Sequence, residues 1–268
     1  MSVPPDDLKA RLQTDRPHSA RVWNFLLGGK DNYPPDSEIG EMILKTFPEF
    51  TAVARLQRHF LARAVRYLVG TVGIRQLLDV GTGLPTADNT HELAQRIAPE
   101  SRIVYVDNDP LVLTHARALL KSAPEGACAY VDADVRDPGR IIEEAKKTLD
   151  FSRPIGLTMV AIMGQISDEE DPTGIVDTLV SALPSGSYLA LSDGTDTNER
   201  LKAAVAAYNS ESVNTYHLRS LDRIGEYFHG LELVEPGVVP TAEWRPDLST
   251  SIEVAGGGHA GSGVARKP

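Results

Sequence analysis

Apolar residues recur at three- and four-residue steps through the first 70 positions: Val22, Phe25 and Leu26, then Ile39, Met42 and Ile43, then Val53, Leu56, Phe60, Leu61, Ala64, Val65 and Leu68. This is the period of one helical face, so the segment is expected to be helical, with one helix running over 50–69. A run of turn formers, Leu27-Gly28-Gly29-Lys30-Asp31-Asn32-Tyr33-Pro34-Pro35-Asp36, separates the first two patterns and reads as a loop. After Gly73 the rhythm changes. Short apolar runs at 76–80, 102–106, 127–131, 155–163 and 188–192 predict strands, and the helical patterns at 89–97, 111–120, 139–149, 174–183, 198–208 and 220–228 predict helices. Such alternation predicts an α/β domain with a parallel sheet covered on both faces, and the nearly unbroken apolar strands agree with it. The tail differs: 231–234 and 263–266 look like strands with no helix between them, an antiparallel pair at the sheet edge. Residues 256–263, rich in glycine, read as a flexible loop. The expected division is a helical extension over 1–70, acting as a lid, and an α/β domain over 71–268.

Composition narrows the class. Of the 268 residues, 41% are hydrophobic and 24% charged, as in ordinary globular chains, so a core can form without disulfides or structural metal. The lone cysteine, Cys128, fits a reducing compartment. The first ten residues carry Pro and Asp where a secretory leader needs basic and apolar runs, and no stretch is long and apolar enough for a membrane helix. A cytoplasmic protein with no membrane partner is expected. The net charge of −10 comes without a basic stripe, so no nucleic-acid partner is expected either. The densest basic stretch, Arg55, Arg58, His59, Arg63 and Arg66, has helical spacing and reads as a solvated face. No histidine or cysteine spacing suggests a metal site.

Three strand ends carry the candidate chemistry. At Asp79-Val80-Gly81-Thr82-Gly83-Leu84-Pro85-Thr86 a strand runs into a glycine turn ahead of a helix, where backbone can approach a ligand and helix N–H groups stay free for it. Thr86 stands where a dinucleotide fingerprint has its third glycine, and Asp79 is acidic, which favours a smaller, cationic ligand over a pyrophosphate. At Asp107-Asn108-Asp109-Pro110 the Asp107 carboxylate is placed to accept both ribose hydroxyl hydrogens, with Asp109 or Asn108 capping the next helix. In Asp132-Ala133-Asp134-Val135-Arg136-Asp137, Asp134 and the following N–H suit adenine, and Asp137 before Pro138 suits a helix cap.

Taken in order, these motifs resemble the class I S-adenosylmethionine methyltransferases. More narrowly, the chain is similar to a bacterial S-adenosyl methyltransferase family formerly known only as a domain of unknown function. That likeness rests on Ala20-Arg21-Val22-Trp23-Asn24-Phe25-Leu26-Leu27-Gly28-Gly29-Lys30-Asp31-Asn32-Tyr33, on 60–68, on 78–86, on 105–110, on Asp171-Pro172 and on the ending 263–268. The resemblance implies a doubly wound Rossmann-like seven-stranded sheet in the order 3-2-1-4-5-7-6, the last strand antiparallel, with helices over the cofactor. It implies S-adenosylmethionine as cofactor and S-adenosylhomocysteine as product. It also implies Asp79, Gly81, Thr82 and Gly83 at the methionine end, Asp107 and Asn108 at the ribose, Asp134 and Val135 at the adenine, and Lys30, Asn32 and Tyr33 in the lid. A small-molecule acceptor is expected.

Two places depart from the family pattern. A His often follows the fourth strand, where this chain has Met163-Gly164-Gln165-Ile166, and another is frequent after the fifth, where it has Ser192-Asp193-Gly194-Thr195. Any base those histidines supply is missing. Asp193 and Asp168 are alternatives, although each reads better as a loop or cap residue, so no catalytic residue is assigned. Two other readings compete: a non-catalytic S-adenosylmethionine-binding sensor, and a nicotinamide dehydrogenase, against which Thr86 counts. Trp23 and Trp244 read as core.

Overall fold

The computed structural model describes residues 13–86, 88–119, 121–212, 214–247 and 258–268. The first twelve residues of the expected extension, the helix end expected at Leu120 and the loop positions Gly256 and Gly257 lie outside them.

Among the described residues three helices come first: α1 (Ser19–Leu26), α2 (Pro34–Thr46) and α3 (Phe50–Arg66), the last running into a π-helical turn over Tyr67–Val72. The expected loop ends earlier than Asp36. Pro34 and Pro35 open α2, where a missing N–H costs nothing, and Tyr33 and Asp36 exchange capping hydrogen bonds. The alternating part follows as β1 (Gln76–Val80), α4 (Thr90–Ile97), β2 (Arg102–Asp107), α5 (Pro110–Leu119), β3 (Ala127–Asp132), α6 (Pro138–Ala145), β4 (Gly156–Val160), α7 (Pro172–Ala182), β5 (Tyr188–Gly194), α8 (Glu199–Glu211) and α9 (Leu221–Glu226). Short strands β6 (Glu232–Leu233) and β7 (Val239–Pro240) precede the long β8 (Ala260–Arg266).

The sheet order is β3-β2-β1-β4-β5-β8-β6, with β7 also paired to β8. This is the expected 3-2-1-4-5-7-6 arrangement, β8 serving as the seventh strand and the two-residue β7 added. Strands β1 to β5 pair in parallel, whereas β8 runs antiparallel to β5 and β6. Part of the tail read as a flexible loop is strand: Ala260 to Gly263 pair with β5. Gly261 lies where the strand passes close to α9: a Cβ there would sit 2.5 Å from Leu221 Cδ1. Strand β4 is shorter than 155–163. Ala161 has φ +59, which ends the extended run, and Met163–Gln165 form a 3₁₀ turn.

Side chains alternate across each strand and feed two cores. Leu78, Val80, Val104 and Leu157 pack with Ile141 of α6 and Val176 of α7. Leu77, Ile103 and Ala190 pack on the other face against Phe60, Leu61, Ala64 and Val65. Helix α3 is therefore a layer of the sheet's own core. A third core joins Val22, Leu26, Ile39 and Ile43 of α1 and α2 to Leu201, Ala204 and Val205 of α8.

Candidate functional site

Connections from β1 and β4 leave in opposite directions, and ligands of doubly wound sheets bind in the crevice that this reversal opens at the strand carboxyl ends. A cavity of about 150 Å³ lies there, bounded on its outer side by α1 and α3.

Its floor is the glycine turn after β1. Gly81 and Gly83 have φ of +74 and +68, conformations open to glycine, and a Cβ on Gly81 would lie 2.6 Å from Ile162. The N–H groups of Gly81 and Thr82 both donate to Val106 O (2.9 and 3.2 Å), which pins the turn to β2. Gly83 N donates to Asp107 Oδ2 at 2.8 Å, so the acid at the end of β2 reaches the second glycine directly. The helix does not start at the glycines. Asn89 and Glu92 form a capping box for α4, which begins at Thr90, so the N–H groups at the glycine turn are not those of the helix.

The carboxylates differ in their surroundings. Asp79 accepts from Thr90 Oγ1 (2.6 Å) and Thr158 Oγ1 (2.8 Å), yet burial raises its pKa despite those bonds and the nearby Arg58 charge. Asp107 accepts Gly83 N and Asp109 N (2.9 Å), and burial pushes its carboxyl up to about 6. Asp109 Oδ1 takes Leu111 N at 2.8 Å, the capping role expected of it or Asn108. Asn108 donates to Asp134 Oδ2 (2.8 Å), joining the ends of β2 and β3. Asp134 also accepts Arg136 N at 2.9 Å, and Val135 lies beside it on the cavity wall. Asp137 caps α6 by accepting Arg140 N.

The structure thus brings Asp79, Gly81, Thr82, Gly83, Asp107, Asn108, Asp134 and Val135 to one cavity. Lys30, Asn32 and Tyr33 are not on its wall. Lys30 is exposed, Asn32 Nδ2 donates to Asn24 Oδ1 (3.0 Å) and Gly29 O (3.1 Å), and the Tyr33 ring lies 5.5 Å from the Arg21 guanidinium and packs near Leu84 and Leu111. The Asn32 amide closes the loop on itself. The N-terminal wall is built instead by His18, Ser19, Trp23, Asn24 and Leu27, so Trp23 is a wall residue, while Trp244 is core as expected.

Helix α3 supplies the residues that the sequence reading missed. Arg55 and Arg66 are exposed as expected, but Arg63 is buried and donates to Trp244 O (2.9 Å) and Thr241 O (2.7 Å). Arg58 lines the cavity and donates to Thr86 Oγ1 at 2.5 Å; burial lowers its pKa. The available signal was the stripe Ala54, Gln57, Arg58, Leu61, spaced i, i+3, i+4, i+7, which aims one polar pair at the sheet. Neither candidate base reaches the cavity wall. Asp193 is buried behind it and accepts from Gly164 N (2.5 Å), Gly194 N (2.8 Å) and Tyr216 OH. Asp168 pairs with Arg219 at 2.9 Å.

Fold and crevice together define a Rossmann-like α/β protein with a ligand site at the sheet's switch point. Comparison with known proteins narrows this class. The sequence model described as "S-adenosyl methyltransferase" matches residues 5–268, and the chain belongs to that family. It is similar to a solved DUF574 family protein from Streptomyces avermitilis, with 45% identity, a TM-score of 0.92 and coverage of 96% of this chain and 100% of the other. A structure from Thermobifida fusca matches at 38% identity and TM-score 0.86, covering 100% and 99% of the two chains. The fold alone is shared with the N-methyltransferase NodS of Bradyrhizobium japonicum, at 12% identity and TM-score 0.51, over 92% of this chain and 99% of that one. No curated protein matches. The protein is an S-adenosylmethionine-dependent methyltransferase with S-adenosylmethionine as its cofactor. No helix among the described residues is long and apolar enough to cross a membrane.

Proposed function

We propose that the protein methylates a small-molecule acceptor inside the cavity between α1, α3 and the carboxyl ends of β1, β2 and β4. The observation that carries this reading is the bond between Gly83 N and Asp107, which sets a buried carboxylate at the cavity edge. Each Asp107 oxygen holds one backbone N–H and keeps a lone pair for a ribose hydroxyl. Asn108 orients Asp134, so that Asp134 and the N–H of Val135 meet the adenine edge. Asp79, Gly81, Thr82 and Gly83 surround the methionine end, and Arg58 extends that set toward a carboxylate. The fit is electrostatic as well: burial leaves Asp79 short of positive charge, and a ligand cation in this cavity would relieve it.

When bound, the cofactor supplies an electrophilic methyl group, which an acceptor lone pair takes while the carbon–sulfur electron pair stays on sulfur. The chain's part is to orient and to exclude water. Alignment can contribute about 7–11 kcal/mol to such a reaction. Arg136 holds the loops after β3 and β4 together through Gln165 O (2.8 Å) and Glu170 (2.5 Å). Helices α1 and α3 form the outer wall, and α1 serves as lid and acceptor boundary.

Thermal unfolding tests the reading. S-adenosylmethionine and S-adenosylhomocysteine are expected to raise the melting temperature, by mass action on the folded state, while NAD and ATP leave it unchanged. Stabilisation by NAD with none by either sulfur nucleoside would reject it.

A further inference from the structure

A second, slimmer recess adjoins the cofactor cavity. The two share Ser19, Trp23 and Gln165, so these residues form a threshold. The recess lies on the half of the sheet opposite the nucleoside residues: Gln165 follows β4, and Tyr216 is tied to Asp193 at the end of β5. Val22, Ile43, Phe50, Val205, Tyr208 and Tyr216 line it, and no charged side chain does. Its volume of about 30 Å³ suits the edge of one flat ring.

Beside the Ser19, Tyr208 and Tyr216 hydroxyls, two side-chain amides adjoin it. Gln57 is 1% exposed; its Oε1 accepts from Ser192 Oγ (2.8 Å), and its Nε2, with no partner among the described residues, is left for the cavity that it lines. Gln165 lines both cavities, and its side-chain amide is likewise without a partner among the described residues. A buried amide with an open edge gains most from a neutral hydrogen-bonding ligand. An ammonium or carboxylate entering the recess would lose its hydration with no opposite charge to meet it.

Resting on the methyltransferase reading above, we propose that the acceptor is an uncharged aromatic amine. The edge of its ring enters the recess, and its nitrogen stands at the threshold, where the Gln165 carbonyl accepts an N–H. Gln57 Nε2 remains for a second polar atom of the acceptor. The nitrogen arrives with its lone pair free, which suits a threshold whose own side chains are a serine, a tryptophan and an amide. Asp193 cannot serve there as a base, because three donors hold it behind the wall.

The test uses full-length protein saturated with S-adenosylhomocysteine and three single-ring probes: neutral 4-methylaniline, anionic 4-aminobenzoate and cationic 4-methylbenzylamine. Calorimetry is expected to show 4-methylaniline bound at least about tenfold more tightly than either charged probe. Gln165→Leu should weaken it by about tenfold, the worth of one hydrogen bond to this half-buried amide. Val205→Phe should fill the recess and abolish probe binding with S-adenosylhomocysteine affinity retained. Should that variant fail to fold, isotope-filtered NOEs in the wild type between the probe's ring protons and the Val22 and Val205 methyls decide the matter. Equal binding of the charged probes, no binding of the neutral one, or absent NOEs would overturn the inference. Failure of S-adenosylhomocysteine itself to bind would instead strike the reading on which it rests.

Discussion

Asp107 shows what a single carboxylate does when a turn and a strand end share it. Its two backbone donors hold the carboxylate in place, and burial sets its pKa at about 6, above the value near 4 of an unfolded chain. The folded apo protein therefore holds this proton more tightly than the unfolded chain does between about pH 4 and 6. The stability it contributes is fully present below about pH 4 and is lost as pH rises through 6. Ribose hydroxyls donate to the ionised form, so cofactor affinity should move the other way, rising with pH and levelling above about 6. Calorimetric titrations of S-adenosylhomocysteine across this range are expected to show that step, and Asp107→Asn should flatten it and weaken binding about tenfold or more. A pH-independent wild-type affinity would remove Asp107 from the ribose site. The residue was readable in the sequence because it combines an acid, a strand end and a glycine turn upstream. Gln57 and Arg58 were harder to read, because only their alignment with Ala54 and Leu61 on one helix face separates a cavity-facing polar pair from a solvated one.

At the scale of elements, what couples α1 to the nucleoside side is a buried set of charges. Arg21 is 1% exposed; its Nε donates to Asp109 Oδ2 at 2.9 Å, and Asp36 lies 3.9 Å from its Nη1. His18 Nδ1 is 3.2 Å from the same Asp109 oxygen, and burial lowers its pKa, which keeps the imidazole neutral at pH 7. Asp109 directly follows Asp107 and Asn108, so α1 is anchored to the turn that carries the ribose residues. Arg21→Leu strands the Asp109 carboxylate in a site with little access to water. Removing one partner of such a pair typically costs about 3–5 kcal/mol, so urea unfolding should show a loss of that order, with cofactor affinity falling alongside it. Loss of stability with unchanged affinity would make α1 a brace only. This coupling also explains how the 27–33 loop was misread. Lys30, Asn32 and Tyr33 have the composition of a ligand wall, but Asn24, Asp36 and the loop backbone already satisfy Asn32 and the Tyr33 N–H. Composition shows which residues can bind a ligand; it does not show which of them have already paired. The strands were more legible, because burial on both faces leaves an apolar run that a solvated segment would not carry. The glycine-rich end of the chain hid only the start of β8, residues 260–262, and for the opposite reason: at Gly261 the strand passes close to Leu221, and freedom and close approach use the same residue.

For the whole molecule, the three cores separate what folds the sheet from what closes the site. Two of them draw on the strands and helices α3, α4, α6, α7 and α9, whereas the third joins α1, α2 and the start of α3 to α8 and stands over the crevice. The expected boundary at residue 70 falls after α3, but α3 supplies Phe60, Leu61, Ala64 and Val65 to the sheet. A truncation that tests the lid must therefore spare α3. Deleting residues 1–36 removes α1, the loop and the start of α2, and with them His18, Ser19, Trp23, Asn24 and Leu27 from the cavity wall. The expected outcome is a protein with near-wild-type far-UV circular dichroism that no longer retains S-adenosylhomocysteine. It should also bind a hydrophobic dye, because the third core loses Val22 and Leu26 and the apolar side chains they cover are exposed. Global loss of secondary structure would show that the third core is needed for folding and would end the description of this segment as a lid. Normal cofactor affinity in a folded deletion protein would show that the crevice closes without it, and the acceptor recess would then have to be sought elsewhere on the β4–β5 half.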